Sequence, residues 1–80
     1  MKVLITGGCG FIGSHVQDYY ICKGYDVVVV DNLSSGKLEF LNPKAKFYHA
    51  DVRDYRALEE IFNLERPELV NHHAAQISVI

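Results

Sequence analysis

Four consecutive valines, Val27 to Val30, stand between Asp26 and Asp31 and constrain the fold more than any other stretch. A half-exposed strand alternates apolar and polar side chains. A run this uniformly apolar suits a strand covered on both faces, as in parallel sheets flanked by helices. The neighbouring segments agree. Lys2 to Thr6 reads as a second buried strand that ends in glycines. Phe11 to Lys23 reads as a helix, because Ile12, Val16 and Tyr19/Tyr20 recur at helical spacing and Gly24 stands where a helix-ending glycine belongs. Asn32-Leu33-Ser34-Ser35-Gly36 reads as a turn, with one helical turn before Pro43. Lys46 to His49 is a short third strand, and Asp54 to Asn63 a second helix with Leu58, Ile61 and Phe62 on one face. After Pro67, Leu69 to His72 forms a fourth strand. The order β-α-β-β-α-β predicts an α/β domain: a parallel sheet of about four strands, helices on both faces, right-handed crossovers.

The 80 residues make one domain, and a domain this small buries only ~60–65% of its unfolded-chain surface. The net charge of −2 and the scattered lysines and arginines leave no basic patch for nucleic acid or an anionic membrane. No apolar run approaches the ~20 residues that span a bilayer. Met1-Lys2 leads directly into a strand, with no signal-peptide core. Cys9 and Cys22 are too far apart along the first helix for a disulfide, so reduced thiols and a cytoplasmic location are expected. No Cys-x-x-Cys occurs.

Between the first strand and the first helix stands Gly7-Gly8-Cys9-Gly10-Phe11-Ile12-Gly13. Gly8, Gly10 and Gly13 satisfy G-x-G-x-x-G, and Gly7, Gly10 and Gly13 a G-x-x-G-x-x-G variant. One glycine makes the tight turn, one lets backbone approach a pyrophosphate, and one lets helix and strand pack closely. The helix N-terminus then offers free N–H groups and the positive end of its dipole to phosphate. Such turns also occur without a ligand. Here an acid, Asp31, ends the second strand about 20 residues on, where a carboxylate accepts from an adenosine ribose. It would repel a 2′-phosphate and no arginine follows it, so NAD is favoured over NADP. The pattern is that of half a Rossmann fold.

"TGGCGFIGSH", "VVDNLSSG", "ADVRD" and "HHAAQISV" together resemble the N-terminal part of the extended short-chain dehydrogenase/reductase family, in its branch of nucleotide-sugar epimerases and dehydratases similar to UDP-glucose 4-epimerase. The resemblance covers the whole chain, with the blocks in order. It implies that Gly7, Gly10, Phe11, Ile12 and Gly13 line the pyrophosphate of NAD. Asp31 would hold the adenosine ribose, with Asn32, Ser34, Ser35 and Gly36 around it. Asp51 and Val52 would flank the adenine, and Ala74, Ala75 and Gln76 would run past the nicotinamide-side ribose.

Members of this family oxidise a sugar hydroxyl with a tyrosine base paired to a lysine four residues later. Tyr19 and Lys23 have that spacing but stand at the far end of the first helix, over two turns from the phosphate end. They are expected to be structural: Tyr19 covering core, Lys23 facing the negative end of the helix dipole. The catalytic segment and a sugar-nucleotide domain are therefore not expected within residues 1–80. The chain should be an NAD-binding module without turnover of its own, its affinity as weak as millimolar, or about 4 kcal/mol. The alternative is a non-catalytic nucleotide-binding or structural oligomeric module. Asn71 and His73 depart from the family by putting polar groups near the end of the fourth strand, and Tyr20 replaces a usual leucine. Neighbouring His72 and His73 point to opposite faces of a strand, so one metal cannot easily take both. Asp54 is a natural helix N-cap, and Arg53 a partner for a nearby acid. The fourth strand is expected to be an open edge that joins a second copy or a complementary chain.

Overall fold

The computed structural model describes residues 1–7, 9, 11–33, 37–51 and 53–72, apart from the side chain of Phe11. β1 (Lys2–Thr6) leads to α1 (Phe11–Cys22), β2 (Asp26–Asp31), a 3-10 turn (Leu38–Phe40), β3 (Lys46–His49), α2 (Tyr55–Glu65) and β4 (Leu69–His72). The four strands form one parallel sheet in the order β3-β2-β1-β4. The chain therefore runs outward from β1 to β3, then crosses back to the other side of β1. That reversal creates a switch point at the carboxyl ends of β1 and β4, the usual ligand crevice of open α/β sheets.

The valine run earns its burial on both sides. Val27 and Val29 join Val3, Ile5 and Cys9 on one face, packed under Val16, Tyr20 and Ile21 of α1. Val28 and Val30 join Leu4 on the other, under Leu58 and Ile61 of α2. This is strand alternation with helices on both sides. The helix ends are set by local chemistry. The Gly24 N–H donates to the Ile21 carbonyl and the Tyr25 N–H to the Tyr20 carbonyl. This Schellman pair needs a left-handed residue, which Gly24 supplies at φ 86°. Asp54 caps α2 by accepting from the Ala57 N–H, and α2 runs two residues beyond the expected Asn63 before Arg66 closes it at φ 47°.

The stripe on α1 differs from the expected one. Val16 and Tyr20 face the sheet, but Ile12 is 63% exposed and Tyr19 58% exposed. Tyr19 does not cover core: its ring meets the edge of Tyr20 at 5.3 Å, with Lys23 Nζ 5.5 Å above it. Gln17 is instead fully buried on this helix, because its side-chain oxygen accepts from the Asn42 N–H and its amide reaches the Phe40 carbonyl. Asn71 is half-buried and shares an open groove with Ile12, His15, Val16, Tyr19 and Tyr20; His73 lies outside the described residues.

At the amino ends of the strands, Glu65 of α2 is only 6% exposed. Its carboxylate pairs with Lys2 Nζ at 2.8 Å and Lys46 Nζ at 2.7 Å and accepts from the Tyr48 hydroxyl. One acid thus ties α2 to the first residues of β1 and β3.

Candidate functional site

The opposite end of the sheet gathers the residues singled out by the sequence. β1 ends at Thr6, and Gly7 turns away from it at φ 71°, its N–H held by the Val30 carbonyl at 2.8 Å. A side chain would strain that left-handed turn. The following residues re-enter as α1, whose first turn carries no acid, so its dipole end is left positive. Gly13 is buried in this helix, and Ile12 stands beside it on the surface.

Asp31, the last residue of β2, is buried and turned into the same corner. Its Oδ2 accepts the Cys9 N–H at 2.9 Å, and its Oδ1 the Leu33 N–H at 2.7 Å. The second bond supports a turn in which Leu33 takes φ 62°, unusual for a residue with a side chain. The Cys9 carbonyl in turn accepts the Lys37 N–H at 3.0 Å. The loop after β1 and the loop after β2 are therefore bonded into one wall. Burial, and next the charge of Asp31, push the Cys9 thiol up to about 11, so it stays protonated and inert as a nucleophile.

Asp51 follows β3 at the same end of the sheet. Arg53 grips it through the backbone N–H, Nε and Nη2, and Asn32 Nδ2 lies 3.4 Å away. The Arg53 side chain, then its backbone N–H, hold the Asp51 carboxyl well below the usual range. His49 Nε2 donates to the Asn32 carbonyl at 3.2 Å. At the switch point, buried Thr6 shares a hydrogen bond of 2.5 Å with His72 Nδ1, opposite it in the register of β1 and β4.

Gly7, Ile12, Gly13, Asp31, Asn32 and Asp51 thus belong to one end of the sheet, together with the backbone of Phe11. Gly10, Ser34, Ser35, Gly36, Val52, Ala74, Ala75 and Gln76 lie outside the described residues. Tyr19 and Lys23 do not join this site. Tyr19 is eight residues along α1 from Phe11, about 12 Å at the helical rise. The bonds of Asp31 to the Cys9 and Leu33 amides, and the pairing of Thr6 with His72, were not anticipated. They depend on which loops meet, and the only sequence signals are an acid, a threonine and a histidine at strand ends.

Comparison with known proteins agrees with this geometry. A sequence profile described as "NAD dependent epimerase/dehydratase family" matches residues 3–80. A UDP-glucose 4-epimerase of Thermotoga maritima, solved with UDP-glucose, is 59% identical, with a TM-score of 0.92 over 98% of this chain and 25% of its own. The UDP-glucose 4-epimerase of Thermus thermophilus, solved with NAD, is 46% identical, with a TM-score of 0.91 over 99% of this chain and 25% of its own. The UDP-glucose 4-epimerase of Lacticaseibacillus casei is 41% identical over 94% of this chain and 23% of its own length. The chain spans about a quarter of the length of these relatives. With the match running through β1, the glycine turn, Asp31 and β4, this chain belongs to the NAD-dependent epimerase/dehydratase family.

Proposed function

We propose that this chain is the NAD-binding part of a nucleotide-sugar epimerase of the UDP-glucose 4-epimerase type, without turnover on its own. The observation that carries the reading is the meeting of three features in one corner: the left-handed Gly7 turn, the N-terminus of α1 and the Asp31 carboxylate. Among the described residues, each Asp31 oxygen accepts one backbone N–H, and a carboxylate oxygen has a second lone pair with which to meet a ribose hydroxyl. The residues present therefore fit a dinucleotide. In this reading Gly7, Gly10, Phe11, Ile12 and Gly13 line the pyrophosphate, and Asp31 holds the adenosine ribose among Asn32, Ser34, Ser35 and Gly36. Asp51 and Val52 meet the adenine, while Ala74, Ala75 and Gln76 pass the second ribose. NAD supplies the hydride acceptor; the chain supplies binding and orientation. Sugar recognition and the tyrosine base belong to polypeptide other than these 80 residues, and the compartment is the cytoplasm.

Titrating NAD into the isotopically labelled protein tests this. Saturable amide shifts at residues 7–13, Asp31 and Asp51 are expected, with a Kd near millimolar, about 4 kcal/mol. A folded protein that shows no shift at several millimolar NAD refutes it.

A second reading, a structural module that associates, is favoured by the surface around β4, where Val70 is 51% exposed and Ile12 and Tyr19 are open. Among the described strands, β4 is also an edge of the sheet, the kind of position at which another chain can pair. Light scattering on a sizing column is expected to give a mass above that of the monomer at tens of micromolar. A monomer there excludes this reading.

A further inference from the structure

Among the described residues, the Asp51 carboxylate is engaged mainly by one neighbour, Arg53. The Arg53 N–H donates to Oδ1 at 2.9 Å, Nε lies 3.1 and 3.2 Å from the two oxygens, and Nη2 donates to Oδ2 at 2.7 Å. A carboxylate offers about four lone-pair positions. The Asn32 amide, at 3.4 Å, is a third donor on Oδ2 beside Nε and Nη2 of Arg53, and the loosest of them. The planar guanidinium and the Arg53 backbone N–H together fix both the rotation and the plane of the carboxylate. Arg53 is 85% exposed, and pairs so exposed contribute little to stability. Its effect therefore lies in how Asp51 is aimed.

We propose that Arg53 is a positioning residue for base recognition: it holds Asp51 so that the 6-amino group of adenine replaces the Asn32 amide, which makes the site prefer a 6-aminopurine dinucleotide over a 6-oxopurine one. This rests on the reading that Asp51 meets the adenine of NAD. Hypoxanthine carries a carbonyl where adenine carries the amine, so two acceptors would face each other. A carboxylate released from Arg53 rotates away from either base and loses the distinction.

The test compares NAD with nicotinamide hypoxanthine dinucleotide by amide-shift titration of the wild type, Arg53→Gln, Arg53→Lys and Asp51→Ala. The wild type is expected to prefer NAD by about tenfold, one well-placed hydrogen bond to a charged group. Arg53→Gln and Asp51→Ala should bring that preference to within about twofold, with Arg53→Lys between. Equal weakening of both dinucleotides in Arg53→Gln, with the preference intact, means a merely structural role and overturns the proposal while Asp51→Ala still abolishes the preference. A preference unchanged in Asp51→Ala shows instead that the base does not meet Asp51, and both the placement and the proposal fall.

Discussion

Glu65→Ala lowers the unfolding free energy by about 2–3 kcal/mol, the loss of several hydrogen bonds to a charged group offset in part by hydration of the freed lysines. In a chain of this size the total is about 4–12 kcal/mol, so a substantial part of the stability is at stake. The reason is topological. Glu65 ends α2, while Lys2 and Lys46 begin β1 and β3, and this buried carboxylate closes the amino ends of the layered structure. Replacing both lysines with methionine costs more, about 3–5 kcal/mol, because the carboxylate then stays buried with Tyr48 as its remaining side-chain partner among the described residues. Urea denaturation at constant m-value reads both effects. Changes below half a kcal/mol would show that water supports these charges as well as they support each other.

The same cluster sets an acid limit. Hydrogen bonds from Lys2, then Lys46 and Tyr48, hold the Glu65 carboxyl down at about 2, from an ordinary value of 4.5. Between those values the unfolded chain binds the proton more readily than the folded one, so the stabilisation is fully present above pH 4.5 and drains away as pH falls toward 2. Glu65→Gln is expected to flatten this part of the pH–stability curve. An unchanged slope would assign the acid sensitivity to other carboxylates.

Local patterns made the order of elements legible in one dimension. The valine run, the glycine turn, Gly24 and the Asp54 cap each act through residues close in the chain. The buried stripe of α1 was less legible, because spacing gives a period and leaves the direction open. Residues 12, 16 and 20 share a row, yet Val16, Tyr20 and Ile21 pack against the sheet while Ile12 and Tyr19 stay outside. Gln17 and Glu65 look like surface residues in any window. Each is buried because a distant segment arrives with complementary groups: the 40–42 backbone for Gln17, and for Glu65 a lysine 63 residues away. The site divides in the same way. Asp31 is visible as an acid at a strand end, whereas its grip on the Cys9 and Leu33 amides exists only once two loops meet.

If Asp31 holds the ribose as proposed, that grip joins binding to local structure at this one position. Asp31→Ala is expected to weaken NAD binding by about 30- to 100-fold, equivalent to roughly 2–3 kcal/mol, through loss of charge-assisted bonds to the ribose. It also strips the Cys9 and Leu33 N–H groups of their acceptor, and an unsatisfied buried amide costs about 1–3 kcal/mol. Asp31→Asn separates the two effects. Its side-chain oxygen still accepts one of the amides, so stability falls less, but the negative charge is gone. With that charge removed, a 2′-phosphate is no longer repelled, and the preference for NAD over NADP should shrink by about tenfold, the scale of one pKa-sized charge interaction of ~1.4 kcal/mol. Parallel titrations with both dinucleotides, beside a urea curve for each variant, decide the matter. If Asp31→Asn keeps the full preference while Asp31→Ala only unfolds more easily, the carboxylate serves the loops alone, and the ribose is held elsewhere.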